Sequence, residues 1–433
     1  MTHVRWRIAV LCLCGNTLSW LDRSALGVAL PYMKTELGLD PVQAGYAFGA
    51  FVFLYLPAIL LSGALADRFG ALRLGALAIG LWSVTIALMG AVQGAVAIIL
   101  LRMLLGLFES GGTPSWIKAT MTWFPRSERA RGVAMFDSGA RFGATLALPV
   151  MAALIGVVGW RLAFVGIALL GLLWLPFWLR TYRDDPASHP AASREEVDFI
   201  RSGQSREASD EAQVGWWELL GSPTTWALVV LTFFAACQAW FNLAWVPTYL
   251  VEVRHFTLLR VGSLGAIPGI AGIAAGFMSG ILADLLLKRG FSTTFVRKGC
   301  IVSGLALSSC IALTPLATDL AMAMTLLAIA NFGLSFGSVA LYTLPLDLAP
   351  VPGRASSLGG IQIVGTLSGG LSFPLLVGYL LHWSEGSFVL PLALAGATSL
   401  LAACVCLFIL GPISPIRLKR HESAPLLHRA PAA

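Results

Sequence analysis

Charge is what this chain has least of. Only 12% of its 433 residues are Asp, Glu, Lys or Arg, about half the share of roughly 25% usual in soluble domains. With 57% apolar residues and a mean hydropathy of +0.80, that deficit excludes a soluble globular protein. Histidine is sparse and scattered: His3, His189, His255, His382, His421 and His428 form no cluster. The seven cysteines lie in or beside apolar stretches, and no pair has a zinc-ligand or oxidoreductase spacing. No metal and no cofactor is therefore expected. A polytopic membrane enzyme is disfavoured as well, because no nucleophile–base pair falls inside the apolar stretches.

What is there is a series of apolar runs of about 20 residues, each long enough to cross a bilayer as a helix. The net charge of +7 does not point to nucleic acid, because the basic residues crowd alternate loops. One set holds Arg5 and Arg7, Arg68 and Arg73, Arg126 to Arg131, Arg180 to Arg206, Lys288 to Lys298, Arg354, and Arg417 to Arg429. The intervening loops hold only Lys34, Arg161, Arg254 and Arg260. This asymmetry is the positive-inside pattern. It predicts an inner (plasma) membrane protein with both termini cytoplasmic and an even number of crossings. The basic-then-apolar start resembles a signal peptide, but no small-residue cleavage site follows, so it is read as the first span.

The expected fold is all-α and polytopic, with twelve transmembrane helices in two pseudo-symmetric six-helix bundles. Spans are predicted at 8–31, 43–66, 73–93, 95–117, 130–157 and 161–180, then at 223–249, 260–287, 297–316, 319–341, 353–381 and 388–411. The domains read as a first bundle over 1–180, a cytoplasmic linker over 181–222, a second bundle over 223–411 and a cytoplasmic tail over 412–433. Within the linker, Ser193-Arg194-Glu195-Glu196 has the capping-box spacing and predicts a short helix.

Against this apolar background a few charges stand out. Asp22 and Arg23 lie inside the first span, and Arg102 and Glu109 inside the fourth. A charged side chain in hydrocarbon costs about 2.5 kcal/mol or more, so such residues face a wet cavity or each other. At 1.5 Å per residue, Asp22 and Arg23 sit roughly 20 Å above the inner end of span 1, and Arg102 roughly 10 Å below the outer end of span 4. Glu109 follows two turns deeper, and Asp137 and Arg141 of span 5 come to about its depth. Two charge layers are thus expected: Asp22, Arg23 and Arg102, and below them Glu109, Asp137 and Arg141.

With all six ionised the layers cancel. One protonated carboxylate leaves the cavity at +1, suited to an organic anion that then crosses without a moving buried charge. A carboxyl group away from water takes up a proton unless an arginine holds it ionised, so an anion arriving at an arginine could shift that balance. The bland alternative is that such Arg–Asp pairs only lock helices together. It is strongest for Asp137 and Arg141, one turn apart on one helix.

The halves also echo each other. Gly63-Ala64-Leu65-Ala66-Asp67-Arg68-Phe69-Gly70, with Arg73 beyond, joins spans 2 and 3. Gly280-Ile281-Leu282-Ala283-Asp284, with Arg297-Lys298 beyond, joins spans 8 and 9. Paired halves of this kind predict a site between them near the midplane. The Gly63 to Arg73 loop resembles the G-x-x-x-D-R-x-G-x-[RK] signature of the major facilitator superfamily. With Asp22-Arg23, Arg102…Gly106…Phe108-Glu109 and Trp123-Phe124-Pro125…Glu128-Arg129, the chain further resembles the anion:cation symporter family, above all its bacterial sugar-acid branch.

That resemblance implies a proton-coupled secondary transporter importing a small organic anion by alternating access. It implies Asp22 and Glu109 as protonating acids, with Asp137 a third candidate, and Arg23 and Arg102 for substrate binding and coupling. It implies a gating latch of Gly63, Asp67, Arg68, Gly70 and Arg73, echoed by Asp284. Tyr55 matches an aromatic of the family and is a substrate-binding candidate. Polar and aromatic groups elsewhere suit a ligand's hydroxyls and apolar faces: Gln238, Asn242 and Trp245 of span 7, and Gln362 of span 11. Each reads equally well as a helix-packing residue. Lys118 is expected at the inner membrane edge with its ammonium in water.

The chain departs from the sugar-acid pattern at Ser19-Trp20, where Asn-Tyr is expected, and at Ile363, where Asn is expected. Its charges at Asp137 and Arg141 replace uncharged residues. Arg141 is thus a candidate second carboxylate anchor, favouring a dicarboxylate or a differently shaped acid, and a less hydroxylated acid fits too. The partners are protons, one small anion and the lipid bilayer, for a monomeric chain. The alternative function is a drug–proton antiporter of the same fold, but Gly139-Ala140-Arg141-Phe142-Gly143 lacks the exporters' Gly-Pro-rich signature. A channel is disfavoured by the latch loops and paired halves.

Overall fold

The computed structural model describes residues 2–202, 216–350 and 355–416. Arg206, Arg354 and the basic tail from Arg417, all counted in the loop pattern above, lie outside the described residues.

Among the described residues, nine helices are long and apolar enough to cross a membrane. Two of them, α2 (Pro41–Met89) and α5 (Arg126–Thr181), run to roughly 75–85 Å at 1.5 Å per residue, more than twice the ~30 Å of a hydrocarbon core. Each turns at one non-helical glycine, Gly70 (φ +82°) and Gly159 (φ +76°), a left-handed backbone that residues with a Cβ rarely adopt. Each therefore makes two crossings. A further crossing is α1 (Val4–Leu37), less apolar than the nine because it carries the Asp22-Arg23 pair. Counting the two long helices twice and adding α1 gives the twelve expected spans.

The fourth span is not one rod. It comprises α3 (Ala95–Glu109) and α4 (Gly112–Trp123), which part at Ser110-Gly111 just after Glu109. The linker helix α6 (Arg194–Ser202) forms as the capping box predicts. Ser193 Oγ accepts from Glu196 N at 3.3 Å, but the reciprocal half of the box is missing. Glu196 instead turns to the chain start, accepting from Thr2 Oγ1 (2.7 Å), Val4 N (3.2 Å), Arg5 N (3.3 Å) and Arg5 Nη1 (2.9 Å). Arg5 Nε reaches Glu128 at 2.9 Å. The start of α1, the start of α5 and the linker are thus clasped together.

After α7 (Trp216–Leu220) the second bundle repeats the plan. Its crossings are α8 (Pro223–Ala244) with α9 (Val246–Glu252), α10 (Leu258–Ser263) with α11 (Ile267–Lys288), and α12 (Thr293–Ser308) continued by a 3-10 turn. Then come α13 (Leu320–Leu348), α14 (Ala355–Trp383) and α15 (Val389–Cys404) with a π-helical end.

The bundles meet at the end away from the termini. Lys34 Nζ lies 2.7 Å from Glu252 Oε1, and the Tyr46 and Tyr379 hydroxyls 3.0 Å apart. Gly27 leaves room for the Leu243 carbonyl and Gly45 for that of Pro374, so α1 and α2 approach α8 and α14 closely. At the terminal end the signature loop stays in water, the Asp67 side chain being 82% exposed. Tyr342, six residues before the end of α13, is 50% exposed. The named contacts between the bundles thus stand at the far end, and these exposed groups at the end that holds the termini.

Candidate functional site

Asp22, Arg23, Arg102 and Glu109 come together and are all buried. Arg23 Nε donates to Glu109 Oε1 at 2.7 Å, joining α1 to α3. Ser19 Oγ donates to the same oxygen. Arg102 Nε donates to the Ala47 carbonyl at 3.3 Å. Asp22 Oδ1 and Glu109 Oε2 are buried with no hydrogen-bond partner among the described residues. A buried acceptor left unmatched costs free energy, so these two oxygens are where a proton or a ligand would settle.

Aromatic rings enclose the arginines. The Arg23 guanidinium lies 5.0 Å from the Trp20 ring, 5.0 Å from Phe51 and 4.8 Å from Tyr55. Arg102 lies 5.1 Å from the same Phe51. One ring thus contacts two guanidinium groups, each attracted to its π-electrons. Gly106 makes this crossing possible: a Cβ there would meet the Phe51 carbonyl. Phe51, one turn from Tyr55, escaped the sequence reading because it looks like any other apolar residue of its span. Ser19 and Trp20, the positions that depart from the sugar-acid pattern, both belong to the cluster.

Of the expected lower layer, only Glu109 joins Asp22, Arg23 and Arg102. Arg23 reaches down to Glu109 across the intervening turn. Arg141 Nη1 lies 3.4 Å from Asp137 Oδ2, with side chains 38% and 59% exposed. This pair is not sealed in the bundle. It faces the open space, within electrostatic reach of the Tyr342 hydroxyl of α13, which is 3.4 Å from Thr366 Oγ1 of α14.

Three candidates from the second half are placed elsewhere. Gln238 is fully buried, donating to Ser308 O at 3.1 Å and accepting from Ser399 Oγ. Gln362 donates to Leu341 O at 3.1 Å, and Trp245 to Pro374 O at 3.2 Å. These polar groups bond to neighbouring helices. Asn242 stays half-buried, donating to Asn331 Oδ1 at 3.4 Å, while Asn331 donates to Pro268 O at 2.6 Å. Asn331 was not singled out from the sequence.

At the Gly63–Arg73 loop, Lys118 is not simply in water. Its Nζ donates to Ala66 O at 2.8 Å and to Asp67 at 3.2 Å. Arg68 lies over the Phe69 ring, Arg73 is exposed and Gly63 has no neighbour within 4 Å of a Cβ. Gly70 turns the chain, and Asp184 caps the following helix, accepting from Ala71 N at 2.7 Å and Leu72 N at 3.2 Å. On the other bundle Asp284 is exposed and, with Arg297, Ser279 and Thr343, lines a cavity of about 180 Å³, and Arg297 Nε donates to Asp347 at 2.7 Å. A cavity of about 450 Å³ lies at the opposite end. Its Arg254 is spent on Tyr249, Thr314 and Ala317, and it does not reach the cluster.

The sequence profile of the Major Facilitator Superfamily matches residues 12–373. The probable galactarate/D-glucarate transporter GudP of Bacillus subtilis is 31% identical over 98% of this chain and 96% of its own length. The D-galactonate transporter of Escherichia coli is 30% identical over 95% and 97%, and the probable sulfoacetate transporter SauU of Cupriavidus necator 30% over 98% and 97%. Among solved structures, a bacterial homolog of the human lysosomal transporter Spinster, inward-facing and unoccupied, superposes with a TM-score of 0.74 at 18% identity over 95% of both chains.

Proposed function

This chain belongs to the Major Facilitator Superfamily, and we propose on that premise that it imports a small organic anion, a sugar acid or similar carboxylate, together with protons. The observation that carries this reading is the buried quartet of Asp22, Arg23, Arg102 and Glu109, two positive and two negative charges sealed from lipid. The names of the similar proteins, transporters of galactarate or D-glucarate, D-galactonate and sulfoacetate, support an organic anion.

The mechanism follows from charge balance. An anionic group arriving at Arg23 competes with Glu109 for the same guanidinium. A carboxylate that loses its arginine in a water-poor site is neutralised by a proton, and Asp22 offers a second acceptor. Anion and protons then cross as a neutral load, which avoids about 2.3 kcal/mol per charge per 100 mV of membrane potential. Phe51, Tyr55 and Trp20 hold the guanidinium groups in place without quenching their charge. Arg141 and Asn242 face the same space and complete the binding set, with Asp137 beside Arg141 as a further proton acceptor.

Alternating access is rocking of a first bundle (1–180) against a second (223–411) across the linker 181–222, with the tail 412–433. Lys34–Glu252 and Tyr46–Tyr379 close the outer side. The Gly63–Arg73 loop and Asp284 close the inner side once the outer contacts part. The chain works as a monomer in the inner membrane, with both termini cytoplasmic. The deciding experiment is uptake of radiolabelled D-galactonate into proteoliposomes under an imposed pH gradient. Accumulation abolished by a protonophore supports the reading, and uptake that ignores the gradient refutes the coupling.

A further inference from the structure

We infer that the central space contains a second anion subsite, made by Arg141 of α5 with Tyr342 of α13 and Thr366 of α14, and that the cargo is a small dianion with an anionic group at each end. The inference rests on the organic-anion reading above and narrows it.

Arg23, Arg102 and Arg141 lie within the first bundle's spans, and they are not alike. Arg23 and Arg102 are 6% and 1% exposed, while the Arg141 side chain is 38% exposed. Its partner Asp137 holds one nitrogen, at 3.4 Å. A guanidinium has five N–H donors in a flat fork, so Arg141 keeps donors for a ligand. Nothing bulky blocks it: on α11, where it approaches, Gly276 stands, and a Cβ there would lie 3.6 Å from Arg141 Nε. The Tyr342 and Thr366 hydroxyls, 3.4 Å apart, make only a long bond to each other and are placed to donate to the same anionic group. An anion there would touch both bundles at once and draw them together.

Gly139 and Gly143 of α5 lie against Asn16, Thr17 and Trp20 of α1, and Arg141, midway between them, is turned instead to Gly276 of α11. Arg141 is thus level with α1 three to seven residues before Arg23, roughly 5–10 Å along the axis, and off to its side. Two separate cationic positions suit two anionic groups on one molecule. Charge agrees. Asp22 Oδ1 and Glu109 Oε2 are two unpartnered carboxylate oxygens, so two protons can offset two negative charges. The similar transporters are named for acids of both kinds, so their names do not decide between one charge and two.

The test compares D-glucarate with D-gluconate, which share a carbon chain and differ by one terminal carboxylate, in proteoliposomes under a pH gradient. Wild-type protein is expected to take up D-glucarate with a half-saturation concentration about tenfold lower. In Arg141→Gln, D-glucarate uptake should fall at least about tenfold further than D-gluconate uptake, with Arg141→Lys recovering part of the difference. Arg23→Gln should depress both. A wild-type preference for D-gluconate, or an equal fall of both probes in Arg141→Gln, overturns the dianion. The wild-type ratio needs no variant, so misfolding cannot hide the answer. Carriage of D-gluconate alone overturns the dianion and leaves the organic-anion reading standing; carriage of neither acid also overturns it, and the organic-anion reading then falls only if D-galactonate uptake is absent as well.

Discussion

Arg23 Nε and Glu109 Oε1 lie 2.7 Å apart, the ionic bond through which α1 and α3 meet at the centre of the first bundle. Both groups are almost wholly buried, so the bond is made away from water. Breaking a buried pair from one side leaves the other charge stranded, at a cost of about 3–5 kcal/mol. Glu109→Gln keeps the shape but not the charge. Proton-driven accumulation of substrate should be lost, while exchange of internal for external substrate, which needs no net proton movement, persists. Paired measurements of accumulation and exchange in the same vesicles check this.

Gly106→Ala should damage the site from behind. The added methyl would meet the Phe51 carbonyl and lie 3.2 Å from Tyr55 N, pushing α3 away from α2. Overpacking of this kind costs about 1–3 kcal/mol, and here it also shifts Arg102 and Glu109. Both melting temperature and uptake per folded molecule should drop. Gly63→Ala, with open space around it, should leave the melting temperature almost unchanged.

The clasp at the chain start gives a pH signature. Burial of Glu196 disfavours its charge, but hydrogen bonds from Thr2, from the main chain and side chain of Arg5, and from the Val4 main chain outweigh that and hold the carboxyl below its usual range. A depressed acid stabilises the folded state above its unfolded value of about 4.3, and that stabilisation is lost as pH falls through the folded value. Glu196→Gln should therefore lower the melting temperature at pH 7, by an amount reflecting about 1.5–3 kcal/mol per charged hydrogen bond weakened. The gap to wild type should close below about pH 4, the region under the ordinary glutamate range. Thermal unfolding from pH 7 to pH 3 decides it.

Lys34 and Glu252 join the bundles at a partly exposed rim, where an ion pair contributes about 0–1 kcal/mol. Lys34→Glu should shift the population toward opening on that side by up to about fivefold. The double swap Lys34→Glu with Glu252→Lys should restore it. Distances between spin labels at the rim report the shift.

Much of this arrangement could be read before any coordinates. Asp22, Arg23, Arg102 and Glu109 announced themselves because charge inside an apolar span needs a reason, and helical rise alone suggested that they could meet. What the rise could not supply was side-chain reach: Arg23 extends to Glu109, of the expected lower layer. Nor could it say which way a polar side chain faces. Gln238 and Gln362 carry the same amide as a ligand reader would, yet both point into neighbouring helices. Phe51 was hidden for the opposite reason. An aromatic ring in a hydrophobic span carries no signal until its cationic neighbours are seen.

Thr2 Oγ1 accepts from Ser193 N at 2.8 Å while donating to Glu196, so Thr2 is a structural part. An affinity tag or fluorescent protein fused ahead of Thr2 would crowd α6 and pull on the foot of the helix that carries Asp22 and Arg23. Transport assays on amino-terminally tagged protein would measure a loosened machine.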